Sequence, residues 1–273
     1  MNLSNHTTAV AITTFPAASP GVASPGVAAQ EVSTAAASIT LSPVDPRDHS
    51  RIDKYLDALG APLRMGKDAQ DIARALVSTM RALINTRPDL ANAQFDFSSS
   101  DGVLVVSSAA LGDSDKQWLQ GQLNGNAALV QAVRSFHDDA VAGYAMWAEA
   151  DGQPLSPARL ESVSRQADGL TSFMNLFGKL GADAQQSLMT GGKYYRSDGS
   201  ALDLGQDPSS AAGFLDFMRS ADAAGLGTAR FVTSSGKILD GVLGMNIFGM
   251  NSAAIPNFFP PSETRSLGVN ETA

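Results

Sequence analysis

The chain of 273 residues contains no cysteine, which excludes disulfides, thiolate metal sites and cysteine nucleophiles together. Histidine is nearly as scarce. His6, His49 and His137 stand far apart, no His-Glu-x-x-His pattern gathers metal ligands, and no metal or other cofactor is expected. Glutamate occurs at Glu31, Glu149, Glu161, Glu263 and Glu271 only, so few side chains could supply the protonated acid of a glycosidase. Lys and Arg total 19 against 27 acids, and the resulting net charge of -8 makes a nucleic-acid backbone an unfavourable partner. With a mean hydropathy of -0.04, the composition is that of a chain that folds in water.

Charge is missing above all from the front. Before Asp45 the single charged side chain is Glu31, in a stretch of Ala, Ser, Thr, Pro, Gly and Val. A five-residue unit repeats within it, Ser19-Pro20-Gly21-Val22-Ala23 and Ser24-Pro25-Gly26-Val27-Ala28. Such Pro-Gly pairs favour turns, and the segment has little bulky apolar surface to offset roughly 1–2 kcal/mol of backbone entropy per ordered residue. Residues 1–45 therefore read as a disordered leader, with a boundary near Val44 to Pro46. A Sec-type signal peptide is disfavoured, because no Lys or Arg precedes Arg47 and the apolar run Ala9-Val10-Ala11-Ile12 is too short.

This leader resembles the amino-terminal region of bacterial type III secretion substrates. Those begin Ser-rich, carry a small aliphatic residue or Pro at position three or four, and lack acids in the first dozen positions. Here the matching features are Leu3, the absence of Asp or Glu before Glu31, and Ser4, Ser19, Ser24, Ser33, Ser38, Ser42 and Ser50. The resemblance implies a secreted protein, delivered to a host cell. The physical sense is that a narrow conduit admits an unfolded leader, which an uncharged, Pro-broken segment supplies. The whole chain also resembles harpins in being acidic, cysteine-free, fairly rich in Gly and poor in aromatics. It differs in lacking long Gly repeats and in carrying the Trp118 and Trp147 helices.

Behind the leader, apolar residues recur at helical spacing. Ile52, Tyr55, Leu56 and Leu59 share a face that Gly60 and Pro62 should end, and a second helix is expected from Lys67 to Thr86 through Ile72, Leu76, Met80 and Leu83, with Val77 and Ile84 widening the stripe. Gln94 to Ser98 and Val103 to Ser107 flank Asp101-Gly102 as a hairpin. Ser114 to Gln117 reads as a capping box for a helix ending at Asn124-Gly125, and Asn126 as the cap of a helix striped by Leu129, Val133, Phe136, Ala140, Tyr144 and Trp147. Ser156-Pro157 opens one long helix through Leu160, Val163, Ala167, Leu170, Met174 and Phe177, which Gly181 interrupts. A second extended segment and turn follow at Gly191 to Gly199, then a helix capped by Asp207-Pro208 and ended by Gly225. The expected fold is mainly α, a compact multi-helix domain over 46–260 with one or two small β-hairpins and a loose tail at 261–273.

Reactive motifs are incomplete. His137-Asp138-Asp139 looks like a phosphohydrolase dyad without that family's further histidines, and the position of His137 along an apolar stripe favours a structural role. Gly192-Lys193 and Gly236-Lys237 lack the rest of a nucleotide loop, Gly225 to Arg230 has Arg230 where a dinucleotide fingerprint needs Gly, and Asp113 to Gln117 is followed by Trp118 where a calcium loop needs Gly. No Gly-x-Ser-x-Gly elbow occurs. Glu149, Glu161 and His137 are the weak catalytic candidates. Ile238 to Met250 is apolar enough to touch a membrane, but Asp240 and Asn246 argue against a span and core packing is the plainer reading.

The leading expectation is an exported effector or harpin-like accessory protein, not an enzyme, that acts by binding protein partners such as a secretion chaperone or a host protein. Two alternatives stay open: a cytosolic helical adaptor or regulator of secretion, and a cell-wall glycosidase-type enzyme using Glu149 or Glu161.

Overall fold

A computed structural model describes residues 46–187, 191–240 and 258–259, so the expectations for the leader, for residues 241–250 of the apolar run and for the tail lie outside the described residues. Helix α1 runs from Pro46 to Thr86, about 60 Å at 1.5 Å per residue. Two helices were expected there, broken at Gly60 to Pro62, yet Pro62 lies inside one continuous helix. Proline loses its N–H bond and crowds the carbonyl four residues back, but the turns on either side are pinned inward by Ala58, Ala61, Met65 and Ala69, all essentially fully buried. The inward face is thus built of small residues, and the larger Leu56 and Leu59, expected to share a core face with Ile52 and Tyr55, point to solvent. Farther along, Ile72, Leu76, Met80 and Leu83 are buried as their spacing implied, and Arg87-Pro88 ends the helix in a 3-10 turn, Pro88–Leu90.

Strands β1 (Asp96–Ser100) and β2 (Val103–Ser107) pair antiparallel around Asp101 and Gly102, whose φ values of 49° and 75° suit the tight turn that the Asp-Gly pair announced. Helix α2 (Asp113–Gly125) closes the outer edge of β2 with side chains. Gln120 Oε1 accepts from Val106 N at 3.1 Å, and Asn124 accepts from Leu104 N at 2.9 Å while donating to Leu104 O at 2.8 Å. Two amides thus stand in for a third strand and leave no bare ladder there. The expected Ser114 capping box does not form: the N-cap is Gly112, two residues earlier, without a side-chain cap.

Helix α3 (Ala127–Ala150) starts at Asn126, whose side chain accepts from Leu129 N at 3.1 Å and donates to Ala75 O at 2.9 Å, tying the cap to α1. Its stripe of Leu129, Val133, Phe136 and Ala140 is buried. At Gly143 α3 and α1 meet closely, since a Cβ there would lie 2.4 Å from the Ala61 Cβ and 2.7 Å from the Phe259 ring.

The single long helix expected after Ser156-Pro157 is two, α4 (Pro157–Ala167) and α5 (Phe173–Ser187). Ser156 caps α4 as expected. The chain turns at Gly169, φ +70°, because β1 holds it: Ser99 Oγ and Asp101 N donate to the Asp168 carboxylate at 3.1 Å each, and Gly169 N donates to Ser99 O at 2.7 Å. Gly181 does not interrupt α5; the Leu204 carbonyl packs against it.

Strands β3 (Lys193–Tyr195) and β4 (Ala201–Leu202) form a second hairpin, helix α6 (Ala211–Gly225) follows, and β5 (Arg230–Val232) with β6 (Ile238–Asp240) completes an antiparallel sheet of order β4-β3-β5-β6. The cap of α6 is Ser210, accepting from Gly213 N, whereas Asp207 instead turns back onto Ser209 N. Among the described residues six α-helices dominate, and the fold is mainly α with small β elements. One continuous core links α1, α3, α5 and α6 with both sheets, centred on Phe97, Phe173, Phe177, Phe214 and Phe217.

Candidate functional site

Of the three side chains singled out as reactive, His137 and Glu149 lie on α3, twelve residues apart, and Glu161 lies on α4. His137 sits on α3 with Nδ1 3.2 Å from Asp138 Oδ1, and Nε2 3.1 Å from the Ser164 carbonyl, 3.4 Å from Ser164 Oγ and 3.8 Å from Asp168 Oδ1. An Asp-His-Ser order is therefore present in outline. The carbonyl at 3.1 Å decides against its use as a catalytic base, because Nε2 must donate there and so has no lone pair for the Ser164 proton. The adjoining cavity, between His137, Thr171 and Phe173, measures about 10 Å³, room for a water at most. The arrangement fastens α3 to the end of α4.

Glu149, at the end of α3, is bound by Lys54 Nζ at 2.9 Å and borders a hollow of about 210 Å³ with Asp57, Arg64 and Met146. Tyr55 donates to Asp151 beside it, and the Tyr55 ring meets Trp147 edge-on at 5.7 Å. Glu161 is exposed on α4 and makes no hydrogen bond or ion pair among the described residues. The structure does not bring the two glutamates into one site. Nor do three or more His, Asp or Glu side chains converge as metal ligands among the described residues.

Two carboxyl groups that motif reasoning did not single out are strongly shaped by their surroundings. Asp68 of α1 is nine-tenths buried, and burial, reinforced by hydrogen bonding to Asp139 and by that residue's charge, pushes its pKa up to about 7. Asp139 is in turn held by Arg64 Nε at 3.1 Å, while Asp68 Oδ2 has no partner. The pair lies inside the α1–α3 contact, where burial favours the protonated form of Asp68. Asp96 accepts from Phe97 N at 2.7 Å, Met174 N at 3.0 Å and Asn175 N at 3.2 Å, so it caps α5 from β1; burial still holds its carboxyl above the usual range. Acidic residues recur every few positions, so nothing in the sequence marked these two.

A hollow of about 790 Å³ opens between β1, α5 and the loop before α6. Its wall carries Asp96, Ser108, Asn175, Lys179, Gln206 and Asp207 over a floor that includes Gly178 and Ala182. Both Asp96 oxygens are used in capping, which leaves amides, hydroxyls, one ammonium and one carboxylate: a hydrogen-bonding surface without a nucleophile beside a base.

The most distinctive exposed feature is apolar. Leu56, Leu59 and Leu63 line the outer face of α1 at 60%, 54% and 48% exposure, opposite Ala58, Ala61 and Met65. Ile52, half-buried, extends the line by one turn in steps of four, three and four. Among the described residues no helix is long and apolar enough to cross a membrane. Ile238, at the head of the apolar run considered for membrane contact, is half-exposed in β6. No family model, no curated protein and no solved structure matches this chain.

Proposed function

We propose that this chain is an exported interaction protein, an effector or harpin-like accessory of a type III secretion system, that acts by binding a protein partner through α1. The observation that carries the binding half of this reading is the line of Leu56, Leu59 and Leu63 held toward solvent on a helix whose other face is fully committed. Three adjacent exposed leucines cost solubility in a free monomer, and such a patch commonly marks a contact surface. The export half rests on the leader, whose near-total lack of charge suits passage as an unfolded chain. The partners this reading implies are a secretion chaperone and a host protein.

The test fuses residues 1–50 to a reporter and compares export with and without a working secretion apparatus. Apparatus-dependent export supports the reading; export without it, or none, defeats the delivery half. In that case the same leucine line favours the cytosolic adaptor. The glycosidase alternative draws less support, since Glu149 is neutralised by Lys54 and Glu161 stands alone on α4. It would be revived by a glycan-cleaving activity that Glu149→Gln or Glu161→Gln removes while the fold stays intact.

A further inference from the structure

Resting on that reading of α1 as a binding surface, we infer that its partner is an amphipathic helix of another protein, with apolar residues in three-four rhythm and a basic margin. Ile52, Leu56, Leu59 and Leu63 follow one another in steps of four, three and four, the spacing in which one helix receives another. The four span twelve residues, about 16 Å of helix, enough for roughly three turns of a partner. Ala58, Ala61 and Met65 on the opposite face are already buried, so a docking helix would meet only the leucine side.

Charge selects the kind of helix. Among the described residues the cations near the stripe are engaged: Lys54 with Glu149, Arg64 with Asp139, Lys67 with Asp71, and Arg51 with the hydroxyl and ring face of Tyr55. Asp53 and Asp57 differ from them. They lie one turn apart on one margin of the stripe, both exposed, and neither has an ion-pair or hydrogen-bond partner among the described residues. A helix bringing Lys or Arg along that margin would neutralise them, and one bringing Glu would be repelled. A second copy of this chain is a poor fit. It would present the same two carboxylates, with its described cations taken.

The experiment uses the full chain and three fluorescent synthetic peptides of equal helicity: leucines in four-three-four steps with a Lys margin, the same with a Glu margin, and the Lys peptide with its leucines scrambled. By anisotropy at low salt the Lys peptide should bind about three- to tenfold tighter than the Glu peptide, with the gap closing as salt is added. Asp53→Lys with Asp57→Lys should reverse that preference. Leu56→Ser with Leu59→Ser should weaken both peptides roughly tenfold or more, with an unchanged circular dichroism melt because both side chains are exposed. Equal binding of the Lys and Glu peptides overturns the basic partner but leaves α1 as a binding surface. Scrambled-peptide binding as tight as the Lys peptide overturns the three-four seam. Failure of every peptide to bind the folded chain overturns both this inference and the binding half of the proposed function. Sedimentation showing a dimer that Leu56→Ser with Leu59→Ser dissolves overturns it in favour of self-association.

Discussion

At the scale of single residues, the α1–α3 contact is set by what is small and what is buried. Gly143 admits Ala61 and the Phe259 ring to distances that no Cβ would tolerate. Gly143→Ala gains about 1 kcal/mol of helix propensity but is expected to lose more by overpacking, a net cost of about 1–2 kcal/mol, read as a lower urea midpoint. Asp68 makes the same contact sensitive to pH. Its carboxyl is raised from near 4 in the unfolded chain to about 7 when folded, so the folded state binds the extra proton. The contribution is fully present below pH 4 and is lost as pH rises through 7, when a buried charge must form beside Asp139. Asp68→Asn is therefore expected to raise stability at pH 8 by roughly 2–4 kcal/mol and to flatten the dependence between pH 4 and 8, as measured by denaturant titration at each pH. Aspartate at 68 falls in the apolar rhythm of α1 only as an interruption, and its partner seventy-one positions later could not be read from the sequence.

At the scale of elements, local signals and packing disagreed in two places, and the size of the local term explains the outcome. Pro62 in a helix interior costs about 3 kcal/mol, an amount that the buried turns of Ala58, Ala61, Met65 and Ala69 can offset. Pro62→Ala should restore a helical N–H bond and raise the thermal midpoint; a fall would mean that the ring itself is needed in the packing. The break between α4 and α5 went the other way, since the three-four rhythm runs unbroken from Leu160 to Phe177, while the bonds from Ser99 and Asp101 to Asp168 and from Gly169 N to Ser99 O hold the turn. Where both terms agreed, the elements were legible. Asn126 caps α3, Asp101-Gly102 turns the hairpin, and Arg87-Pro88 stops α1. The edge of β2 is closed by Gln120 and Asn124, so replacing both with Ala should uncover two ladder donors and cost about 1–3 kcal/mol, with faster hydrogen exchange at Leu104 and Val106 as the specific readout.

At the scale of the whole molecule, α1 is a spine shared by the rest of the body: one core runs from Met65 on α1 through α3, α5 and α6 to Phe231 on β5. With no second core among the described residues, the body should unfold in a single transition, with far-ultraviolet and near-ultraviolet circular dichroism melting together; separated transitions would show that the spine couples its neighbours weakly. The sequence by itself determined which segments become helix, where the hairpin turns and how little charge the first 44 residues carry, because those signals act within a turn or two of chain. Tertiary structure decided that α1 is continuous, that the chain bends at Asp168, that the Asp68 carboxyl is pushed up to about 7, and that Leu56, Leu59 and Leu63 face water rather than the core. Each of these depends on contacts between residues dozens of positions apart, Ala61 with Gly143 or Ser99 with Asp168. A periodic stripe shows that a helix has a partner side without telling whether the partner is the chain's own core or another molecule.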